Sequence, residues 1–240
     1  MTRLNRDQMF ERILKSVAEN RPFSLIRMGD GENVVLSGEI FKFYEWSYPG
    51  ENRCIQGSYE YLRSGMVEAV KNCDLAGIFL GDTWTYDALA KAGAINPEFQ
   101  AYAFCNLFMA GFKPFVDNIM RNKKLLLIGS SMGEYNDLLK SKIPEARTIA
   151  IYKDMVIRSK VHCDELYQKI DACLGDFEVA LVSMGVWALP ICDYLKKKGK
   201  IAIDYGHAAS HQLIGEYEIN LQYDDMDDYF KNSKCPICWK

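Results

Sequence analysis

Phe23-Ser24-Leu25-Ile26-Arg27-Met28-Gly29-Asp30-Gly31-Glu32 is the stretch that decides the fold. An apolar run broken only by Ser24 and Arg27 stops abruptly at two glycines separated by an acid. Such a run reads as a buried parallel strand followed by its carboxyl-terminal turn. Similar apolar runs recur over 75–80, 124–128, 148–152, 178–183 and 200–203, most of them ending at Gly, Asp or Ser. Helical patterns fill the intervals at 59–72, 86–92, 99–122, 164–174 and 186–198. Ahead of the first strand, Met9, Phe10, Ile13, Leu14, Val17 and Ala18 form one apolar stripe at helical spacing. Strands alternating with helices predict an α/β, Rossmann-like fold: a largely parallel sheet with helices on both faces. Ligands in such sheets bind beyond the carboxyl ends of the strands.

A chain of 240 residues is long enough to bury a substantial core. No internal repeat, low-complexity tract or Gly/Ser/Pro-rich linker divides it. Residues 1–240 therefore read as one domain, with 224–240 a candidate C-terminal helix and tail. The 49% hydrophobic and 25% charged shares are those of an ordinary soluble globular protein. With a net charge of −3 and dispersed Lys and Arg, the chain lacks a basic face for nucleic acid and a polybasic membrane anchor. An acidic substrate would be met by a few local cations or by a metal. The polar start, Thr2 to Asp7, is no secretory leader. The most apolar stretch, Val179 to Leu195, is interrupted by Ser183, Gly185, Pro190 and Asp193, which makes it a poor membrane span. Several of the eight cysteines lie inside apolar segments, where a reduced thiol packs as a small hydrophobe. A reducing cytoplasm is the expected compartment.

Gly29 and Gly31 let the backbone turn sharply and approach a ligand closely. Asp30 and Glu32, two residues apart, can converge on one hard divalent cation such as Mg²⁺ or Mn²⁺, whose shell water and phosphate oxygens would complete. Arg27 is placed to pair with a phosphate. The plainer alternative is that Asp30 caps a short helix and Glu32 favours its first turn. A second turn shows the same ambiguity. The strand over 178–183 opens at Gly185 into a helix that stops at Gly199, and the strand from Lys200 ends in Asp204-Tyr205-Gly206-His207. Asp204 and His207 thus stand where chemistry is expected in this fold class, or else Asp204 caps a turn and His207 packs. His207 with His211 lacks the glutamate of a helical zinc motif.

Weaker signals are Gly129-Ser130-Ser131-Met132-Gly133-Glu134, which has two glycines but no Gly-Lys-Ser/Thr ending and reads as a plain turn. Cys235-Pro236-Ile237-Cys238 is a lone C-x-x-C with no second pair for zinc. The acidic cluster from Asp224 to Asp228 reads as a solvated helix start. Phe41, Tyr44, Trp46 and Tyr48 suit either sugar stacking or a core.

Together the two turns resemble the GT-D-type bacterial glycosyltransferases. The Arg-x-Gly-Asp-Gly-Glu hallmark is matched by Arg27 to Glu32. The second hallmark, a glycine turn, a helix ending in Gly and an Ala-Ile-Asp-x-Gly-His strand end, is matched by Gly185, Ala188, Leu195, Gly199, Ala202, Ile203, Asp204, Gly206 and His207. Weaker similarity lies around 124–129 and 159–170. Val186-Trp187 departs from the family's Pro-Thr at that turn, which puts specificity in question. The resemblance implies a metal-dependent transferase that moves a sugar, often glucose from UDP-glucose, from a nucleotide-sugar donor to a glycan or glycoprotein acceptor. It implies Asp30 and Glu32 as ligands of Mn²⁺ or Mg²⁺, and donor contacts from Arg27, Gly29, Gly31, Gly185 and Gly206. Asp204, His207 and Asp82, the last in Leu80-Gly81-Asp82 after the second strand, are the candidates for the base. A homo-oligomer is compatible with this reading. The alternatives are a non-catalytic nucleotide-sugar-binding subunit, or another Rossmann-like enzyme such as a methyltransferase.

Overall fold

The computed structural model describes residues 2–39, 56–78, 83–152, 159–216, 218–224 and 228. Its elements run β1 (Thr2–Arg3), α1 (Arg6–Ala18), β2 (Phe23–Arg27), α2 (Asp30–Ser37), α3 (Gln56–Asn72), β3 (Leu75–Ile78), α4 (Trp84–Ala92) and β4 (Phe99–Tyr102). A 3-10 turn (Cys105–Phe108) precedes α5 (Lys113–Phe115), which widens into a π-helical segment (Val116–Arg121). Then come β5 (Lys124–Gly129), α6 (Met132–Lys142), β6 (Arg147–Tyr152), α7 (Lys160–Ala172) and β7 (Val179–Ser183). A 3-10 turn (Gly185–Trp187), α8 (Ala188–Lys197), β8 (Ile201–Asp204) and α9 (Ala208–Leu213) complete it.

The described strands form one sheet in the order β1-β4-β3-β2-β8-β7-β5-β6, parallel at every pairing. Because side chains alternate along a strand, β2 sends Phe23 and Leu25 into one layer and Ile26 into the other. The first layer holds α1, α5, α6 and α9; the second holds α2, α3, α4, α7 and α8. Both faces are therefore covered, as the apolar runs demand. Met9, Phe10, Ile13 and Val17 of α1 are buried, each contributing about 1.5–3 kcal/mol relative to exposure. A capping box fixes the start of α1: the Gln8 amide donates to Asn5 Oδ1 at 2.9 Å, and the Asn5 amide donates to Gln8 Oε1 at 3.0 Å.

One helix expected from periodicity is replaced. Over 99–122 the chain forms β4, a 3-10 turn and only then helix. β4 is hydrogen-bonded between β1 and β3, and Gly111 and Pro114 interrupt the run. Sheet pairing outweighs helical patterning for so short a segment. β1, a two-residue edge strand, and helices α6 and α9 were not apparent in the sequence pattern. Of the run over 75–80, residues 79 and 80 lie outside the described residues.

The connections position the site. Among the four adjacent strands β2, β8, β7 and β5, the chain leaves alternately into opposite layers, through α2, α9, α8 and α6. Neighbouring strands whose chains diverge open a crevice at the carboxyl end of a sheet. No described helix is long and apolar enough to cross a membrane.

Candidate active site

A cavity of about 580 Å³ occupies that crevice. Its wall is built from the residues that follow the strands: Arg27 and Gly29 to Glu32 after β2, and Ser130 and Ser131 after β5. Ser183 to Trp187 come from the end of β7, Gly206, His207 and Ser210 follow β8, and Ala103 and Phe104 follow β4. The Arg27–Glu32 and Gly185–His207 segments, far apart in sequence, therefore face one space. They also touch: a Cβ on Gly31 would fall 2.9 Å from Val186 Cγ1.

Arg27 is the charged centre. Its guanidinium donates from Nη1 to Asn106 Oδ1 at 2.9 Å and to the Ala103 carbonyl at 3.2 Å. Its Nε lies 3.4 Å from Asp204 Oδ1. Asp204 is only 2% exposed and lies behind Arg27, off the cavity wall. Burial pushes its carboxyl up from the ordinary range, and the Arg27 guanidinium and the Arg27 and Gly206 amides oppose that rise. The guanidinium lies where a side chain at position 206 would stand. A Cβ there would be 1.8 Å from Nη2, and the backbone has φ +48°. Only glycine satisfies both conditions at this turn.

Gly29 is the N-cap of α2, and Asp30 its first residue. The Gly29 amide donates to Glu32 Oε2 at 2.9 Å, so the plainer reading of Glu32, that it favours the first turn of a helix, describes one of its oxygens. Asp30 is exposed to the cavity. Burial, and then the charge of Asp204, raise the Glu32 carboxyl to about 6. His207 is the N-cap of α9. It is exposed on the wall, and the loss of solvent around it, then Arg27, lower its pKa and favour the neutral imidazole.

Asp204 and Glu32 act electrostatically on the one guanidinium, Asp30 stands on the same wall, and no lysine is among the described lining residues. The charge balance is unfavourable for a diphosphate unless a further cation enters. Asp30 and Glu32 suit such an ion chemically: they are hard oxygen donors on one helical turn. The described residues hold no group of three acidic, histidine or cysteine ligands. An ion on these two carboxylates would therefore need water and phosphate oxygens to complete its shell, as Mg²⁺ does.

Several parts of the wall are not legible as site residues in the sequence. Ser130 and Ser131, read as a plain turn, face the cavity, and Ser210 donates to Ser131 Oγ at 3.3 Å. Trp187 is buried in the wall, and its indole N–H, like the Ser183 hydroxyl, has no hydrogen-bond partner among the described residues. Asn106 is the lone amide in the apolar run Ala103 to Phe108, which is the signal that could have marked it. Asp82, Cys235, Cys238, Phe41, Tyr44, Trp46 and Tyr48 lie outside the described residues. Of the acidic cluster, Asp224 is largely solvated and ion-pairs with Lys113 at 3.2 Å.

Comparison with known proteins agrees with this architecture. A family model described as a GT-D fold-like domain matches residues 4–212. Three solved structures are similar over the whole chain. One, described as a highly conserved domain of unknown function 1792 with a distinct glycosyltransferase fold, is 16% identical, is covered over 92% of its length and has a TM-score of 0.57. Another structure of that domain, with selenomethionine, is also 16% identical, with 92% of its length covered and a TM-score of 0.56. A third, described as a new glycosyltransferase from Streptococcus sanguinis, is 15% identical, with 96% of its length covered and a TM-score of 0.55. At these identities the likeness is one of fold. No curated protein matches the chain.

Proposed function

Because the chain belongs to the GT-D-like family, a glycosyltransferase family, we propose that its cavity binds a nucleotide-diphosphate sugar and that the enzyme transfers the sugar to a hydroxyl of a glycan or glycoprotein acceptor. UDP-glucose is the proposed donor and the reducing cytoplasm the proposed compartment. The observation that carries the reading is the convergence of Arg27 to Glu32 and Gly185 to His207 on one cavity at the carboxyl end of the sheet.

In this reading Arg27 meets the donor's phosphates, held in place by its ion pair with Asp204 and its hydrogen bonds to Asn106 and Ala103. Asp30 and Glu32 would hold Mn²⁺ or Mg²⁺, which when bound neutralises charge on the departing diphosphate. The bond between the anomeric carbon and the diphosphate oxygen breaks, a new carbon–oxygen bond to the acceptor forms, and the electron pair leaves with the nucleoside diphosphate. The acceptor hydroxyl's proton needs a base. His207 takes it in this scheme, because it stands on the wall and is kept neutral. Asp204, buried behind Arg27, acts by orienting that arginine.

The test is release of nucleotide from a panel of UDP-, GDP-, dTDP- and CMP-sugars, with and without Mn²⁺. Ion-dependent release from one donor supports the proposal and names the sugar. Binding without release under any acceptor condition would point instead to a nucleotide-sugar-binding subunit. Neither binding nor release would overturn the reading.

A further inference from the structure

We infer that Asn106 is a positioning residue: its side-chain amide ties the Arg27 guanidinium to the turn after β8 and so fixes the arginine for the donor's phosphates. The inference rests on the proposed donor reading for its purpose, and on geometry for its substance. Asn106 is 1% exposed, within the 3-10 turn Cys105–Phe108, whose Cys105, Leu107 and Phe108 pack into the core. A buried amide is costly unless both its ends are bonded, and here both are. Oδ1 accepts from Arg27 Nη1 at 2.9 Å, and Nδ2 donates to the Tyr205 carbonyl at 2.8 Å. These partners also fix which end of the amide is oxygen, because a guanidinium only donates and a carbonyl only accepts.

The consequence concerns the third nitrogen of Arg27. A free arginine side chain samples many rotamers, and holding it still is entropically expensive. Asp204 engages Nε, while Asn106 and Ala103 engage Nη1. Nη2 is left beside Gly206, at the cavity wall. Asp204 alone would leave the guanidinium free to swing about its Nε contact; the two bonds of Nη1 remove that freedom, and the one to Asn106 is the shorter, at 2.9 Å against 3.2 Å to Ala103. Because Tyr205 lies between Asp204 and Gly206, the Asn106 amide sets the arginine and the β8 turn relative to each other. An aspartate could not do this, since its carboxylate has nothing to donate to the Tyr205 carbonyl. An aliphatic residue could make neither bond.

The experiment combines a spectroscopic signature with a double-mutant cycle. The Arg27 Nε–H resonance of ¹⁵N-labelled full-length protein is assigned by its loss in Arg27→Lys, then followed in Asn106→Ala. UDP affinity in the presence of Mn²⁺ is measured by calorimetry for wild type, both single variants and the double variant. The expected results are a shifted or faster-exchanging Arg27 resonance in Asn106→Ala, and about a tenfold loss of UDP affinity, the size of one lost charge-assisted hydrogen bond. The double variant should bind no worse than Arg27→Lys alone, because Asn106 acts only through Arg27. An unmoved Arg27 resonance, or losses that add in the double variant, would overturn the inference. Should Asn106→Ala fail to fold, Asn106→Ser, which keeps a shorter hydroxyl, is read by the same criteria. If wild type binds no UDP, the UDP reading of the donor fails separately, and the resonance alone decides on Asn106.

Discussion

Substituting Gly206 by alanine tests the clamp on Arg27 from its opposite side. Two physical effects oppose the substitution. The backbone at 206 has φ +48°, where a non-glycine residue costs about 1–2 kcal/mol. The added Cβ would also stand 1.8 Å from Arg27 Nη2 and 2.5 Å from Cζ, distances no packing tolerates. The guanidinium must leave its seat or the β8 turn must move. Removing Arg27 from Asp204 strips a buried carboxylate of its cation, which costs about 3–5 kcal/mol. Movement of the turn relieves part of this, so a loss of about 4 kcal/mol is expected. For a chain of this length that lowers the melting temperature by roughly 8–16 °C. Gly199→Ala supplies the control. Its φ is +83°, yet nothing lies within 4 Å of the added carbon, so only the conformational cost of about 1–2 kcal/mol applies. Thermal melts of the two variants, followed by circular dichroism, make the comparison. If Gly206→Ala melts within a degree or two of Gly199→Ala, the described seat of Arg27 is wrong.

Further predictions concern the carboxylates and the histidine. Asp30→Ala and Glu32→Ala should each reduce Mn²⁺-supported nucleotide release by about 100-fold or more. Asp30→Ala should keep the wild-type melt, and Glu32→Ala should lose about 1 kcal/mol with its bond to Gly29. In metal-free protein the Glu32 carboxyl should titrate by NMR near 6 rather than 4.5. A carboxyl raised on folding favours the folded state fully below the unfolded value of 4.5, and this benefit is lost as pH rises through about 6. Glu32→Gln should therefore gain urea resistance relative to wild type at pH 7.5 compared with pH 4; no pH dependence in that difference would refute the shift. His207→Gln should leave donor affinity unchanged while lowering transfer about 10²–10⁴-fold. An equal fall in donor affinity would make His207 a binding residue instead.

Much of the fold was legible because buried parallel strands have a plain signature. Phe23 to Arg27, Val179 to Ser183 and Ile201 to Asp204 are apolar runs that stop at their turns, and all three are central strands. The segment from Phe99 was not, since its short strand takes its identity from hydrogen bonds to β1 and β3 rather than from any local pattern. The candidate site follows the same division. Arg27, Asp30, Glu32 and His207 are marked by their positions at strand ends, and all four line the cavity. Whether a carboxylate at a strand end faces the cavity or its own fold is a tertiary matter, and Asp204 turns inward because Arg27 reaches back to it. Asn106 acts across 79 residues to Arg27 and 99 to Tyr205, separations over which spacing carries no signal.

In the proposed function this cavity holds a nucleoside diphosphate through Arg27 together with an ion on Asp30 and Glu32. The decisive measurement is a crystal structure of the protein with UDP and Mn²⁺, with the ion located by its anomalous scattering. The expected result is manganese bound by the Asp30 and Glu32 carboxylates and the diphosphate against Arg27. A diphosphate seated elsewhere on the protein, or seated in the cavity with the ion bound away from both carboxylates, would contradict it.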